Sequence, residues 1–251
     1  MKGWGLASAV RTLTILPFPG NESDSPATTL YWFVPVGALL GFILYGVALL
    51  CQPLQAPFLT GSLLIGLLAL LTRAFHLDGL CDMFDGFGGG WTKERKLEIM
   101  KGSTVGAFGV IALIITLLVK VSAVALMIER GGIPLLVYVP ILSRLFVVAQ
   151  SVFNPYARKE GGTAARLVTE GRVRHVAISV VWVVVVIILY KNVVLLRLGL
   201  LVGVAATVTV GIALHARKQI GGVTGDILGA TVELSEAGML LAAAIVMPLP
   251  L

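Results

Sequence analysis

Seven apolar stretches of near-bilayer length, roughly 30–50, 57–75, 105–127, 132–150, 174–190, 193–214 and 236–251, constrain this chain more than any other feature. A helix needs about 20 apolar residues to cross the hydrocarbon core, and it satisfies its own backbone donors and acceptors where water cannot. At 57% hydrophobic and 13% charged residues, with a mean hydropathy of +0.97, the chain lies outside the range of ordinary soluble domains. The expected fold is an all-α integral membrane protein, one polytopic domain over residues 1–251, with about seven transmembrane helices and a range of roughly six to eight. A short interfacial helix is expected within the segment Trp4 to Phe18, which Arg11 interrupts and which lacks the small-residue cleavage site of a signal peptide.

Assigning the loops alternately to the two faces puts fourteen Lys and Arg residues on one side and three on the other. Because Lys and Arg accumulate in short cytoplasmic loops, the N-terminus is expected in the cytoplasm and the C-terminus outside. Topology and anionic headgroups then account for the net charge of +6, and no nucleic acid partner is required. Cys51 and Cys81 fall near opposite faces, so no disulfide is expected. No Cys/His cluster has zinc-ligand spacing.

Against this background three aspartates, Asp78, Asp82 and Asp85, stand four and three residues apart. At about 100° per residue they form one helical stripe, pointing within roughly 40–60° of one another. Such a stripe is either a solvated helix end or a divalent-metal site, since like charges at this range repel unless a cation lies between them. The helix carrying it is expected to continue the second span, to break at Gly86 to Gly90, and to restart as a surface helix with Thr92 as its cap over Lys93 to Lys101.

Two further segments of the same face bear on chemistry. The region from Asn154 to Arg174 is rich in Arg, Lys and Gly, which suits anion binding or simple positive-inside anchoring. In the last, Thr224 is a candidate cap, and Asp226 and Glu233 lie seven residues apart on one helical face, to ligate metal or to pair with Arg217, Lys218 or a neighbouring span. Glycines such as Gly88 and Gly89 let backbone N–H groups approach phosphate, or merely break a helix. His76, His175 and His215 read more readily as interfacial or hydrogen-bonded side chains than as catalysts. Lys120 and Arg144, inside spans, are expected to pair internally or to snorkel. Carboxylates, glycines and bases on one face together point to Mg²⁺-assisted chemistry on a diphosphate.

The segments His76 to Gly86, Leu97 to Lys101, Tyr156 to Arg158, Gly221 to Ala230 and Glu233-Leu234 occur in an order that resembles the cobalamin synthase family, the adenosylcobinamide-GDP ribazoletransferases. The resemblance implies a Mg²⁺-dependent membrane transferase that joins adenosylcobinamide-GDP to α-ribazole, or its 5′-phosphate, and releases GMP. It is compatible with a homo-oligomer or with association with other enzymes of nucleotide-loop assembly. On this reading Asp78, Asp82 and Asp85 hold the metal, with Asp226 as a second-tier ligand, and Asp82 and Asp85 are catalytic. Glu98 or Glu233 serves as general base, while Lys101, Arg158 and Arg166, with Gly88 and Gly89, receive the GDP phosphates. The chain departs from the family pattern at Gly102 and Thr104, where Asp and Arg are usual, so no ligand is placed there. A CDP-alcohol phosphotransferase or prenyltransferase would share the diphosphate chemistry but has a different aspartate spacing. A secondary transporter would place its carboxylates at a helix break near the midplane.

Overall fold

A computed structural model describes residues 5–23, 25–162, 164–191 and 195–246, and among these the only regular elements are helices. In order they are α1 (Leu6–Leu13), α2 (Phe33–Cys51), α3 (Pro57–Leu71), α4 (Phe75–Gly89), α5 (Lys93–Ile99), α6 (Ala107–Glu129), α7 (Tyr138–Phe153), α8 (Ala165–Thr169), α9 (Val173–Leu189), α10 (Leu195–Ile220) and α11 (Gly225–Val246). Short 3₁₀ turns extend α2 at both ends and lead into α7.

Five of these segments are long and apolar enough to cross a membrane: Pro26–Leu54, Ala107–Glu129, Ile133–Phe153, Leu195–Ile220 and Gly225–Val246. A sixth is gained if α3 and α4, bent by 90°, count as one span, and α9 is a shorter apolar helix of 17 residues. The protein is therefore an all-α membrane protein, in which five helices, or six with the bent pair, are long and apolar enough to span among the described residues. Where an interfacial helix is expected the chain forms the eight-residue helix α1, and Trp4 lies outside the described residues.

One helix start and one corner differ from what the hydropathy suggests. The last helix starts at Gly225, not near 236, because Thr224 caps it and its polar first turns are enclosed by other helices; residues 247–251 of the expected stretch lie outside the described residues. The break expected at Gly86 to Gly90 comes at the end of that glycine run, where α4 stops at Gly89 and Gly90 turns extended, and a second corner that was not expected falls at Thr72 to Ala74, where Arg73 and Ala74 take positive φ of 53° and 52°. The α1 end ties this corner down: Ile15 N–H donates to the Leu71 carbonyl at 2.7 Å, and the Arg73 guanidinium donates to the Arg11 carbonyl. Beyond the corner α4 runs without interruption through Gly86, Gly88 and Gly89, and Thr92 then caps α5 by accepting from Arg95 N–H.

At the centre stands α11, which packs against α4, α6, α7 and α10. Some 67% of its apolar window is buried by other helices, against 22% for α10, whose outer face carries Val202, Val210 and Leu214 and suits lipid. Close approach of α4 to α11 rests on small residues, as in membrane helix pairs generally. A Cβ on Gly79 would come within 2.9 Å of the Asp226 carbonyl, and Gly229 abuts the backbone of His76.

Candidate active site

The α4–α11 crossing brings together the first aspartates of α4 and the first turn of α11. On α4, Asp78 is exposed, Asp82 half-buried and Asp85 buried. The three share a helix but not a role. Both oxygens of Asp85 are taken, one accepting from Gly106 N–H at 2.7 Å and the other from Gly109 N–H at 2.8 Å. The carboxylate thus satisfies orphan donors at the start of α6, where the helix dipole also favours negative charge.

Asp226 completes the group from α11. Thr224 Oγ1 accepts from Ile227 N–H at 3.3 Å as the helix cap and donates to Asp226 Oδ2 at 3.1 Å. The segment after α7 lies alongside the segment before α11 in a short parallel bridge, with Ala157 N–H on the Val223 carbonyl and Val223 N–H on the Pro155 carbonyl, each 2.9 Å. That bridge sets Arg158 against Asp226, Nη2 to Oδ2 at 2.7 Å, with both side chains about one-fifth exposed. Burial raises the phenol of Tyr156 above its usual pKa, with Arg158 opposing the shift and Asp226 adding to it. Asp82 in turn is repelled by Asp226, Asp78 and Asp85 and attracted by Arg158. The cluster outside the Asp85 cap is thus three carboxylates facing one guanidinium.

Among the described residues no three His, Cys, Asp or Glu side chains converge closely enough to enclose a metal ion by themselves. The donor chemistry nevertheless fits Mg²⁺. Asp78, Asp82 and Asp226 offer only hard carboxylate oxygens, and Mg²⁺ typically takes one or two of these and fills its octahedron with substrate phosphates and water. A site completed by substrate needs no closed protein cage.

The remaining residues singled out from sequence lie elsewhere. Glu233, two turns further along α11, is buried on Lys120 Nζ at 2.8 Å; Lys120 also reaches Glu236 at 2.7 Å, and Arg144 pairs with Glu236. Of the alternatives read for Glu233, pairing with a neighbouring span is the one observed, and Lys120 and Arg144 pair internally as expected. Glu98 is exposed and bonded to Arg95 at 2.8 Å, Lys101 is exposed 4.0 Å from Glu160, and Arg166 binds Glu170 at 2.6 Å. Gly88 packs under Phe108, whose ring a Cβ would meet at 2.6 Å, whereas at Gly89 a Cβ would make only an ordinary 3.4 Å contact with Ile99. Sequence reasoning passed over Glu236. The signal was available, because two cations inside spans require two anions, and Glu236 lies one turn beyond Glu233.

Comparison with known proteins is consistent across the chain. A family model described as cobalamin-5-phosphate synthase matches residues 5–244. Proteins named adenosylcobinamide-GDP ribazoletransferase from Chlorobium phaeobacteroides, Prosthecochloris aestuarii and Syntrophobacter fumaroxidans are each 40% identical, over 92%, 93% and 96% of this chain and 94%, 94% and 97% of their own lengths. No solved structure matches.

Proposed function

The chain belongs to the cobalamin-5-phosphate synthase family, and from that premise we propose that it joins adenosylcobinamide-GDP to α-ribazole, or to its 5′-phosphate, and releases GMP at the α4–α11 crossing. The observation that carries the assignment to this place is the surplus of carboxylate over cation formed by Asp78, Asp82, Asp226 and Arg158. By charge bias of the loops this end of the bundle is the cytoplasmic face of the inner membrane.

In the reaction a ribose hydroxyl oxygen bonds to the phosphorus on the cobinamide side, the bond from that phosphorus to the GMP oxygen breaks, and the hydroxyl proton leaves to a base. Asp78 and Asp82 would hold Mg²⁺, which when bound supplies positive charge to the diphosphate oxygens. Arg158 turns from Asp226 to the diphosphate, where a guanidinium donates two parallel N–H bonds. Asp226, relieved of its cation, becomes the stronger base and accepts the hydroxyl proton. Asp85 positions α4 by holding the start of α6. Glu98 and Glu233, engaged with Arg95 and Lys120, take no part in proton transfer.

Purified protein in detergent, given adenosylcobinamide-GDP, α-ribazole and Mg²⁺, is expected to form cobalamin and GMP in equal amounts by mass detection, and to stop when the metal is chelated. GMP release without a corrinoid product would contradict the transfer, and turnover in excess chelator would contradict the metal.

A further inference from the structure

Helix α5 carries three cations, Lys93, Arg95 and Lys96, and two of them have no anion. Arg95 is bonded to Glu98, whereas Lys93 and Lys96, neighbours on one helical face, both reach the junction of α10 with α11. Lys96 is 9% exposed; its stem packs on Gly90, where a Cβ would meet Lys96 Cγ at 2.6 Å, and its ammonium donates to the Gln219 side-chain carbonyl. Lys93 is exposed, and its Nζ lies over Gly221, 2.7 Å from where a Cβ would stand. Among the described residues neither ammonium is paired with a carboxylate, and Glu94 between them pairs with neither. One neutral amide oxygen answers one donor of the Lys96 ammonium and leaves its charge uncompensated in a poorly hydrated place.

The turn beneath Lys93 leads straight to the reaction site. Gly221 takes a φ of 83°, the left-handed conformation that glycine favours, and a side chain there would also strike Lys93. Gly222 lies directly against the Pro155 carbonyl and Val223 is bridged to Tyr156, so the segment that sets Arg158 on Asp226 also supports Lys93. On α4, Gly86, one turn beyond Asp82, abuts Met100 and the Lys96 carbonyl, which seats α5 beside the helix that bears the carboxylates. Lys101 and Arg166, the other cations read for the diphosphate, lie on Glu160 and Glu170. Lys93 and Lys96 have no such partner.

Surplus charge of this sign calls for an anion from outside, as the surplus carboxylate of Asp78, Asp82 and Asp226 calls for a cation. We propose that Lys93, beside the charge of Lys96, binds the phosphate of the GMP leaving group at the Gly221–Gly222 turn. The proposal rests on the ribazole-transfer reading above. It divides the diphosphate between Arg158, on the phosphorus that is transferred, and Lys93, on the one that departs. When the bond to GMP breaks, the bonding pair stays on the GMP oxygen and adds a negative charge to that phosphate, so an ammonium there holds the departing group more strongly than the substrate. A lipid headgroup offers the same phosphate chemistry, and phosphatidylglycerol is the probe that distinguishes it.

Equilibrium binding of GMP to the purified protein, in dodecyl maltoside with Mg²⁺ present, tests this apart from turnover. Lys93→Gln is expected to weaken GMP binding by about tenfold, Lys93→Arg to restore it to within about threefold, and guanosine to bind all three proteins alike. Added phosphatidylglycerol is expected to leave GMP binding unchanged. Equal GMP affinity in the wild-type protein and Lys93→Gln, an equal loss for guanosine, or displacement of GMP by phosphatidylglycerol overturns the proposal. In turnover, Lys93→Gln is expected to lower kcat/KM for adenosylcobinamide-GDP by about tenfold or more while KM for α-ribazole stays within about twofold. An unchanged kcat/KM in a variant that makes cobalamin overturns the proposal as well. Absence of cobalamin from the wild-type protein overturns the transferase reading instead, and a GMP affinity that still depends on Lys93 then upholds the phosphate site by itself.

Discussion

Two groups of charged residues on the same helix, α11, have opposite characters. At its first turn Asp226 pairs with Arg158 beside Asp78 and Asp82 and stands partly open to solvent; two to three turns deeper, Glu233 and Glu236 meet Lys120 and Arg144 in a buried, balanced set sealed by the Ser143 hydroxyl on Glu236. Residue type does not separate them. Completeness of pairing does: a set whose charges cancel inside the fold holds helices together, whereas a set left with surplus carboxylate needs a cation from outside.

The comparison is broken most forcefully from the structural side. Lys120→Met leaves Glu233 buried without a cation, beside a Glu236 held by Arg144 alone, and is expected to cost about 3–5 kcal/mol, read as a large fall in the detergent unfolding midpoint; a small change would mean the deep set does not hold the helices. At the open site, Arg158→Met should spare the unfolding midpoint but lower GMP release by about 10²–10³-fold, the usual effect of losing one donor to developing charge. Asp85 lies between the two classes, open in sequence yet fully engaged. Asp85→Ala is expected to cost about 1–2 kcal/mol of stability through the lost cap, with Asp85→Asn recovering part of it; a variant with wild-type stability but no activity would move Asp85 into the reacting group. Smallest is Glu98→Gln, an exposed pair, expected to change stability by less than about 0.5 kcal/mol and to leave the transfer rate near wild type.

The order of helices and the presence of α1 were legible because apolar length and spacing report directly on which segments are buried. The Asp78–Asp82 spacing, the Thr92 and Thr224 caps and the internal pairing of Lys120 and Arg144 were legible for the same reason: each is a local rule or a cost that must be met. What escaped was set by tertiary packing. The glycine run does end α4, at Gly89, but Gly86 and Gly88 also admit Met100 and Phe108, and the sharper corner falls on Arg73 and Ala74, which have no turn signature. Likewise nothing in the local sequence pairs Arg158 with Asp226, 68 residues away, because a bridge between two loops creates that contact. Asp85 resembled its neighbours in sequence and was set apart only by the arrival of α6.

The central claim is that the open carboxylates act on substrate while the sealed ones do not. It is tested most directly by measuring cobalamin formation by Asp82→Asn beside the wild-type protein, each at a matched folded concentration confirmed by its unfolding midpoint. Asp82 has no side-chain partner among the described residues and is repelled by its neighbours, so Asp82→Asn is expected to keep or raise the midpoint and to lose cobalamin formation by about 100-fold or more. Wild-type rates from a stable Asp82→Asn protein would contradict the account.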